Sequence, residues 1–541
     1  MPVVTLYLDR LAKLVGKKSS QIVEAIPFLG LDIEEQTNKY LRVEYSPNRP
    51  DYATDVGIAA GLQGLLGTKK GMQKLTLKKE KLFLIKTDPQ LKKIRPYVSA
   101  FVAKNGTLDD ESVRQLIALQ EDLHFGIGRK RKKASIGIHD LDVVAFPLSY
   151  TAASADHMFV PLNGSEEMTA RQILDKTEVG REYAKILEGA AKMPMIFDAK
   201  GNTISFPPII NSSLTTVSSN TTNLLVEATG TDKNAVDDVL SVVASALQNL
   251  GFTLFDVKTD AKSSNVAKTR TMILEPTLVN QILGVSLSSA QICGALKKCR
   301  LDAAERGKKI ICTIPRFRFD ILGPMDLVEE AALGYGIEKL KPTIPPSSSV
   351  GQKNAITKRL DNLGLIMVGL GFTEALNSSL TSKQVLYEQT KRSSAGLIEV
   401  TESKSQEHTI LRDSILPGLL ENLSRNIHEP YPQKLFEIGT VFSNANPIKE
   451  SISLACISAH KDANFAEIKA VLQSLLRTDS NIECRTKTAD NPVFAKGKSA
   501  DVLVGDIKVG TIGEVDSQII DNFKIRVPVC GFEIIASGFI F

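Results

Sequence analysis

The stretch Arg316-Phe317-Arg318-Phe319-Asp320-Ile321, followed by Asp326-Leu327-Val328-Glu329-Glu330 and Gly334-Tyr335-Gly336, constrains the chain more than any other. Residues 310–321 alternate, so a strand there carries Arg316, Arg318 and Asp320 on one face and Phe317, Phe319 and Ile321 on the other. Gly323-Pro324 ends it. Asp326, Glu329 and Glu330 then stand at i, i+3 and i+4 of a helix whose other face holds Leu327, Val328, Ala331 and Tyr335. Asp320, Asp326, Glu329 and Glu330 are thereby expected together at one strand end and one helix start. Two readings fit this spacing. Acids in a first turn suit the helix dipole, Asp326 with Glu329 has the form of a capping box, and Arg316 and Arg318 are placed to satisfy the carboxylates. The alternative is a hard-cation site, because all-oxygen ligands without His or Cys select magnesium over zinc.

Length sets the scale. A chain of 541 residues exceeds one core, and about three to five domains follow. With 43% hydrophobic and 23% charged residues the composition is that of a globular protein, not a disordered one. The net charge of +5 permits an anionic partner without announcing one, so a nucleic-acid reading must rest on local patches. Six cysteines form no CxxC pair and read as reduced core thiols of a cytoplasmic protein. No apolar run reaches the ~18 residues that span a bilayer, so no membrane role is expected. The N-terminus alternates like a strand and does not resemble a signal peptide.

An α/β module is expected over 1–90. Its marked feature is the loop Val43-Glu44-Tyr45-Ser46-Pro47-Asn48-Arg49-Pro50-Asp51-Tyr52, read as a rigid turn with Arg49 on Asp51 or Glu44. Asp51 is expected to begin the helix carrying Val56, Ile58, Ala59, Leu62 and Leu65. Residues 69–93 are lysine-rich around a short strand at 82–85, a linker or solvated edge.

A second, larger α/β domain is expected over 91–262, with a helix at 109–124 and strands at 96–103, 135–138, 195–197 and 223–227. Arg129, Lys130, Arg131, Lys132 and Lys133 form the densest basic run, either a solvated face or a phosphate contact. His139 and Asp140 follow on a strand; as neighbours they point to opposite faces and form no catalytic pair. Leu225, Glu227 and Thr229 share one face of a further strand, and a strand carboxylate among apolar residues needs a partner or a purpose. Asp232 caps the next helix. Over 263–343, two short Ser-capped helices, a strand and a helix suggest a winged-helix-like module, suited to nucleic acid or to protein docking. Residues 341–349 read as a linker. The segment 352–541 reads as a helix at 356–369, a strand toward Leu380, a helix ending at Asn426 and a strand at 434–439. The fold class is α+β, multidomain.

The motif R-x-D-I-x(4)-D-L-V-E-E-A-A-x-G-Y-G resembles a signature of the phenylalanyl-tRNA synthetase β subunit, the archaeal and eukaryotic cytosolic form more closely. The N-R-P-D loop resembles one near that family's β-subunit start. S-F-P-P-I-I-N-S (205–212) and V-E-A-T-G-T-D (226–232) resemble its editing domain, and 352–541 resembles its class II synthetase-like module. The resemblance covers nearly the whole chain, without the extra anticodon-binding domain or the oligonucleotide-binding insertion of bacterial forms. It implies an α2β2 assembly with the α subunit, tRNA(Phe) as partner, and ATP and phenylalanine bound at α. It implies Mg2+ on Asp320, Asp326, Glu329 and Glu330, and an editing pocket that hydrolyses tyrosyl-tRNA(Phe). There Glu227 accepts the tyrosine hydroxyl, Ser205 and Thr229 line the pocket, Asn211 holds the loop, and the terminal ribose hydroxyl orients the water. For Ser205 a strand-end hydroxyl is an equal alternative.

The same resemblance exposes departures. Leu435 stands where a working class II site has Arg beside Glu437, and Val515 follows Gly510-Thr511-Ile512-Gly513-Glu514 where a second Arg belongs. Without those cations nothing offsets the charge of adenylate formation, so this module is expected to be a non-catalytic copy. Two other readings stand beside this one: an RNA- or protein-binding scaffold without chemistry, and a magnesium-dependent hydrolase. The last is weakest, since no phosphate-binding glycine loop or nucleophile accompanies the acids.

Overall fold

The strands Tyr97–Lys104 and Leu224–Gly230 are buried on both faces, and they pair with each other at the heart of the largest sheet. The computed structural model describes residues 2–345, 349–403 and 405–536. These form two compact units, one up to Ile344 and one from Pro345.

The first unit holds a nine-stranded sheet. Its order is Ile210–Asn211, Thr203–Phe206, Met193–Phe197, Leu148–Ala153, Leu77–Thr87, Thr253–Thr259, Tyr97–Lys104, Leu224–Gly230, Ala134–Asp140. Helices Asp110–Phe125 and Lys233–Asn249 cover one face, where Leu116, Leu119, Val239 and Val243 meet Phe101 and Val226. Asp232 caps the second helix, accepting from the amides of Asn234 and Ala235, as expected. The sheet curls until its two ends approach one another: a Cβ built on Gly137 would lie 3.1 Å from Oδ1 of Asn211.

The same apolar core continues into the N-terminal module, a sheet of Val3–Tyr7, Tyr40–Glu44 and Asp32–Gln36 with helices Leu8–Val15, Ser19–Ala25 and Asp55–Leu65. Arg49 clasps Asp51 through Nε and Nη2 at 2.9 and 2.8 Å and lies 3.8 Å over the Tyr52 ring, the rigid turn expected. Asp51 does not begin the helix. A 3-10 turn, Pro50–Ala53, intervenes, and Thr54 caps the helix by accepting from Gly57.

The lysine-rich segment also differs from expectation. Residues Leu77–Thr87 are one strand inside the large sheet, parallel to Thr253–Thr259 and to Leu148–Ala153. Its first half is exposed, whereas Phe83 and Ile85 are buried, so only that half is a solvated edge.

Next come three strands, Thr269–Leu274, Lys309–Pro315 and Asp302–Arg306 in that order, with helices Pro276–Leu283, Ser289–Lys298 and Pro324–Tyr335. The strand expected to reach residue 321 stops at Pro315, where the Arg318 amide bonds the Pro315 carbonyl in a turn. Phe317, Arg318 and Ile321 are all buried, so no polar and apolar face separate there.

The second unit holds a seven-stranded sheet, antiparallel except where Thr373–Glu374 pairs with Gln433–Ser443, and a small sheet of Leu380–Thr381, Ile410–Leu411 and Ile398–Glu399. Helices Ala355–Gly369 and Phe465–Ser480 pack on one side, Leu416–Arg425 and Ser517–Asn522 on the other. Pro346, Ser347 and Ser348 of the expected linker lie outside the described residues. No described helix is long and apolar enough to cross a membrane. All six cysteines are free.

Candidate functional site

Between the two ends of the curled sheet lies a cavity of about 730 Å3. One wall is helix Asp110–Phe125, another the segment 205–212, and a third the edge strand Ala134–Asp140. Ser205, Asn211 and Glu227 all reach it. Ser205 and Asn211 sit opposite one another in register, and the Ser205 hydroxyl donates to Oδ1 of Asn211 at 3.2 Å.

Glu227 faces Gly137 across the register, and His139 is two residues further along the same face. His139 Nε2 lies 3.8 Å from Glu227 Oε1, while Nδ1 meets the Thr215 hydroxyl at 2.8 Å. Both side chains are buried, and His139 Nε2 and Glu227 Oε2 have no hydrogen-bond partner. Two unsatisfied polar atoms at this depth are costly unless a ligand completes them. The opposition of His139 and Asp140 holds: Asp140 instead accepts from Thr221 and from the Asp142 amide. Gly137 keeps the space open, because a Cβ there would meet Glu227 Oε1 and His139 Nε2, each at 2.5 Å.

Thr229 does not line the cavity. It is wholly buried behind the wall, where its hydroxyl accepts from Nε of Arg95 at 2.8 Å and lies 3.3 Å from the Ser135 hydroxyl. Ser135 is the residue of this group that reaches the cavity. Arg95 is 1% exposed and also donates to the carbonyls of Thr229 and Lys132; burial pulls its guanidinium down to about 10.

The basic run borders the cavity as a left-handed turn. Arg129, Lys130 and Arg131 have φ of 50°, 52° and 63°, a conformation that costs a non-glycine residue about 1–2 kcal/mol each. Arg131 turns inward. It donates to the carbonyls of Pro208 and Ile209, pairs with Glu121 at 3.0 Å and stacks 4.4 Å over Tyr183. The hydrogen bond from His124, with help from Arg131, holds the Glu121 carboxyl at about 2. Arg129, Lys130, Lys132 and Lys133 point outward, so the run presents four cations rather than five.

The four carboxylates expected to hold magnesium do not converge. Arg318, 2% exposed, is bound to Asp320 and to Glu330, each at 2.6 Å. Asp326 caps helix Pro324–Tyr335 by accepting from the amides of Leu322 and Gly323, both at 2.7 Å, and Glu329 is exposed. Among the described residues no three His, Cys, Asp or Glu side chains are grouped to hold a metal ion. A dication here would compete with a buried guanidinium for the same oxygens, so these residues do not fit Mg2+.

Comparison with known proteins bears on the whole chain. Residues 340–536 match the family described as phenylalanyl tRNA synthetase beta chain CLM domain, and residues 272–337 the tRNA synthetase B5 domain. The chain is 38% identical over 546 residues to the phenylalanine–tRNA ligase beta subunit of Archaeoglobus fulgidus, covering 100% of this chain and 99% of that one. The chain belongs to the phenylalanine–tRNA ligase beta-subunit family. The beta subunit of Methanococcoides burtonii is 36% identical over 542 residues, 99% of each chain. An N-terminal fragment of the phenylalanyl-tRNA synthetase beta-subunit from Pyrococcus horikoshii superposes with a TM-score of 0.58 at 28% identity, over 62% of this chain and 99% of that one.

Within this beta subunit the second unit has its own buried polar centre. Glu437, wholly buried, receives Nη1 of Arg412 at 2.5 Å and Nδ2 of Asn377 at 2.7 Å. Gly439 makes room for it, since a Cβ there would lie 2.2 Å from Nη2 of Arg412. Leu435 and Val515 pack into the apolar core beneath helix Leu416–Arg425.

Proposed function

We propose that this chain supports an α subunit in the ATP-dependent charging of tRNA(Phe) with phenylalanine and itself hydrolyses tyrosyl-tRNA(Phe). Family membership supports the first part: the chain is one component of an aminoacyl-tRNA ligase complex, with α and tRNA(Phe) as its partners. We read the assembly as a cytoplasmic α2β2 heterotetramer.

The observation that carries the second part is the buried His139–Glu227 pair: Glu227, with Oε2 unpartnered, lines an apolar-walled cavity, and His139 Nε2, also unpartnered, lies 3.8 Å from its other oxygen. Tyrosine exceeds phenylalanine by one hydroxyl. A site built to hydrogen-bond that hydroxyl leaves two buried polar groups unpaired when phenylalanine enters, which disfavours the correct product strongly. Glu227 accepts a hydrogen bond from the tyrosine hydroxyl, and His139 backs Glu227 from behind the wall. Ser205 and Asn211 shape the wall opposite, and the terminal ribose hydroxyl orients the attacking water. Arg129, Lys130, Lys132 and Lys133 take the phosphates next to the cavity mouth.

For the second unit, the neutralisation of Glu437 by Arg412 and the apolar surroundings of Leu435 and Val515 support a class II-like module that binds no ATP. The winged-helix-like module over 263–343 suits nucleic acid or protein docking.

The test is co-purification with the α subunit, followed by phenylalanylation and tyrosyl-tRNA(Phe) hydrolysis by the complex. Glu227→Ala is expected to abolish hydrolysis and leave phenylalanylation unchanged. Charging by the β chain alone, or full hydrolysis by the Glu227→Ala complex, would refute the reading.

A further inference from the structure

Helix Asp110–Phe125 turns Val113, Leu116, Ile117, Gln120, Glu121 and His124 toward the cavity, at the spacing of one helical face. Phe125, its last residue, lies one turn beyond Glu121, yet it is 69% exposed. The left-handed turn folds back on this helix end: the amides of Lys130 and Arg131 bond the carbonyls of Phe125 and His124 at 3.3 and 3.1 Å. Lys130 Nζ lies 5.8 Å from the centre of the Phe125 ring. Arg131 anchors the turn to the Pro208 and Ile209 carbonyls of the cavity wall, and Arg129, Lys130 and Lys132 stay exposed, Lys130 nearest the ring. Three strained residues thus hold Lys130 by a bare aromatic ring that follows directly on the cavity-lining His124, and strain of this kind gathers at functional sites.

We propose that Phe125 is a stacking platform for an unpaired base of the single-stranded 3′ end of an RNA whose terminal residue enters the cavity. Arg129, Lys130 and Lys132 hold the flanking phosphates. Single-stranded nucleic acid offers flat π-faces alternating with negative charge, and an aromatic ring among cations matches both. A protein partner fits less well, since protein interface cores are depleted of lysine. The proposal rests on the hydrolytic reading for the fate of the RNA end, whereas its binding test does not.

The probe is a short RNA hairpin with an unpaired 3′ tail, carrying 2-aminopurine at each tail position in turn, titrated into the complex of this chain with its α subunit. Stacking on Phe125 is expected to quench the fluorescence at one tail position. Phe125→Leu, at so exposed a site, leaves the fold intact; it is expected to remove the quench, weaken binding about tenfold and raise the KM of tyrosyl-tRNA(Phe) hydrolysis at unchanged kcat. Phe125→Trp restores all three, and Glu227→Ala binds as the unaltered chain does. Unchanged quench and affinity in Phe125→Leu would overturn the proposal, as would a loss confined to α-subunit association. Loss of RNA binding in Phe125→Leu together with full hydrolysis in Glu227→Ala would uphold the platform and reject the hydrolytic reading.

Discussion

Nε2 of His139 lies 3.8 Å from Oε1 of Glu227, with both side chains buried and the space between them kept by the missing side chain of Gly137. Gly137→Ala would place a methyl 2.5 Å from each atom and force the pair apart. Overpacking of this kind costs about 1–3 kcal/mol. The expected result is a modest fall in melting temperature and a fall of about a hundredfold in tyrosyl-tRNA(Phe) hydrolysis, with phenylalanylation unchanged; side-by-side assays of the complex check it.

Arg318 takes the place that a cation would occupy between Asp320 and Glu330. Arg318→Ala strips the guanidinium from buried Glu330 and from half-buried Asp320, and breaking a buried pair typically costs about 3–5 kcal/mol. Urea unfolding measures that loss. In the unaltered chain, chelator or millimolar Mg2+ is expected to leave the melting temperature where it is, and a rise with Mg2+ would reinstate the four-carboxylate site.

His124 is a pH-dependent element of the cavity wall. Its Nε2 accepts from the Ile136 amide at 2.8 Å, so Nδ1 carries the proton, and burial holds its pKa below the ordinary value. The unfolded chain therefore binds more protons as pH falls through about 6.5, and stability declines below that pH but not above it. Glu121, held at about 2, contributes in a separate window, losing its share as pH drops from the ordinary carboxylate range toward 2. Melting curves from pH 8 to 5 are expected to slope downward below 6.5, and His124→Asn to flatten that slope at an overall cost of about 1–3 kcal/mol.

In the second unit, Glu437→Ala strands the buried guanidinium of Arg412 and is expected to cost about 3–5 kcal/mol. Replacing both, Arg412→Met with Glu437→Leu, is expected to cost clearly less than the sum of the single changes in a double-mutant cycle.

Helix Ala355–Gly369 exposes Leu365 by 69% and Val368 by 56%, an apolar pair on one face. Leu365→Glu with Val368→Glu is expected to abolish co-purification with the α subunit while the chain's own melting temperature stays within a few degrees. Retained association would move the docking surface elsewhere.

What sequence reading could reach depended on how local the cause was. The Asp232 cap and the Arg49–Asp51 clasp are made by residues two or three apart, and both are legible in the chain itself. The strand expected through residue 321 fails because alternating Arg and Phe imitate a strand, while the burial of Arg318 is decided by Glu330 twelve residues on. Thr229 lies behind the wall and not in it because its partner, Arg95, sits 134 residues away, beyond the reach of any local pattern. The orientation of His139 followed from strand geometry, but its meeting with Glu227 depends on cross-strand register, which no local pattern encodes. Gly137 carried a usable signal: a glycine inside a strand marks a close approach by another group.

The strand Leu77–Thr87 sits between Leu148–Ala153 and Thr253–Thr259, so its neighbours are made long after it. On the ribosome it must wait as an unpaired edge, and the large sheet stays in two pieces until residue 259 has emerged. Lys78, Lys79 and Lys81 in its exposed half then act as guards, giving a bare strand too much charge to pair with a neighbouring chain. A fragment starting at residue 91 would lack this strand and carry two raw edges in place of a continuous sheet, which makes aggregation its expected fate.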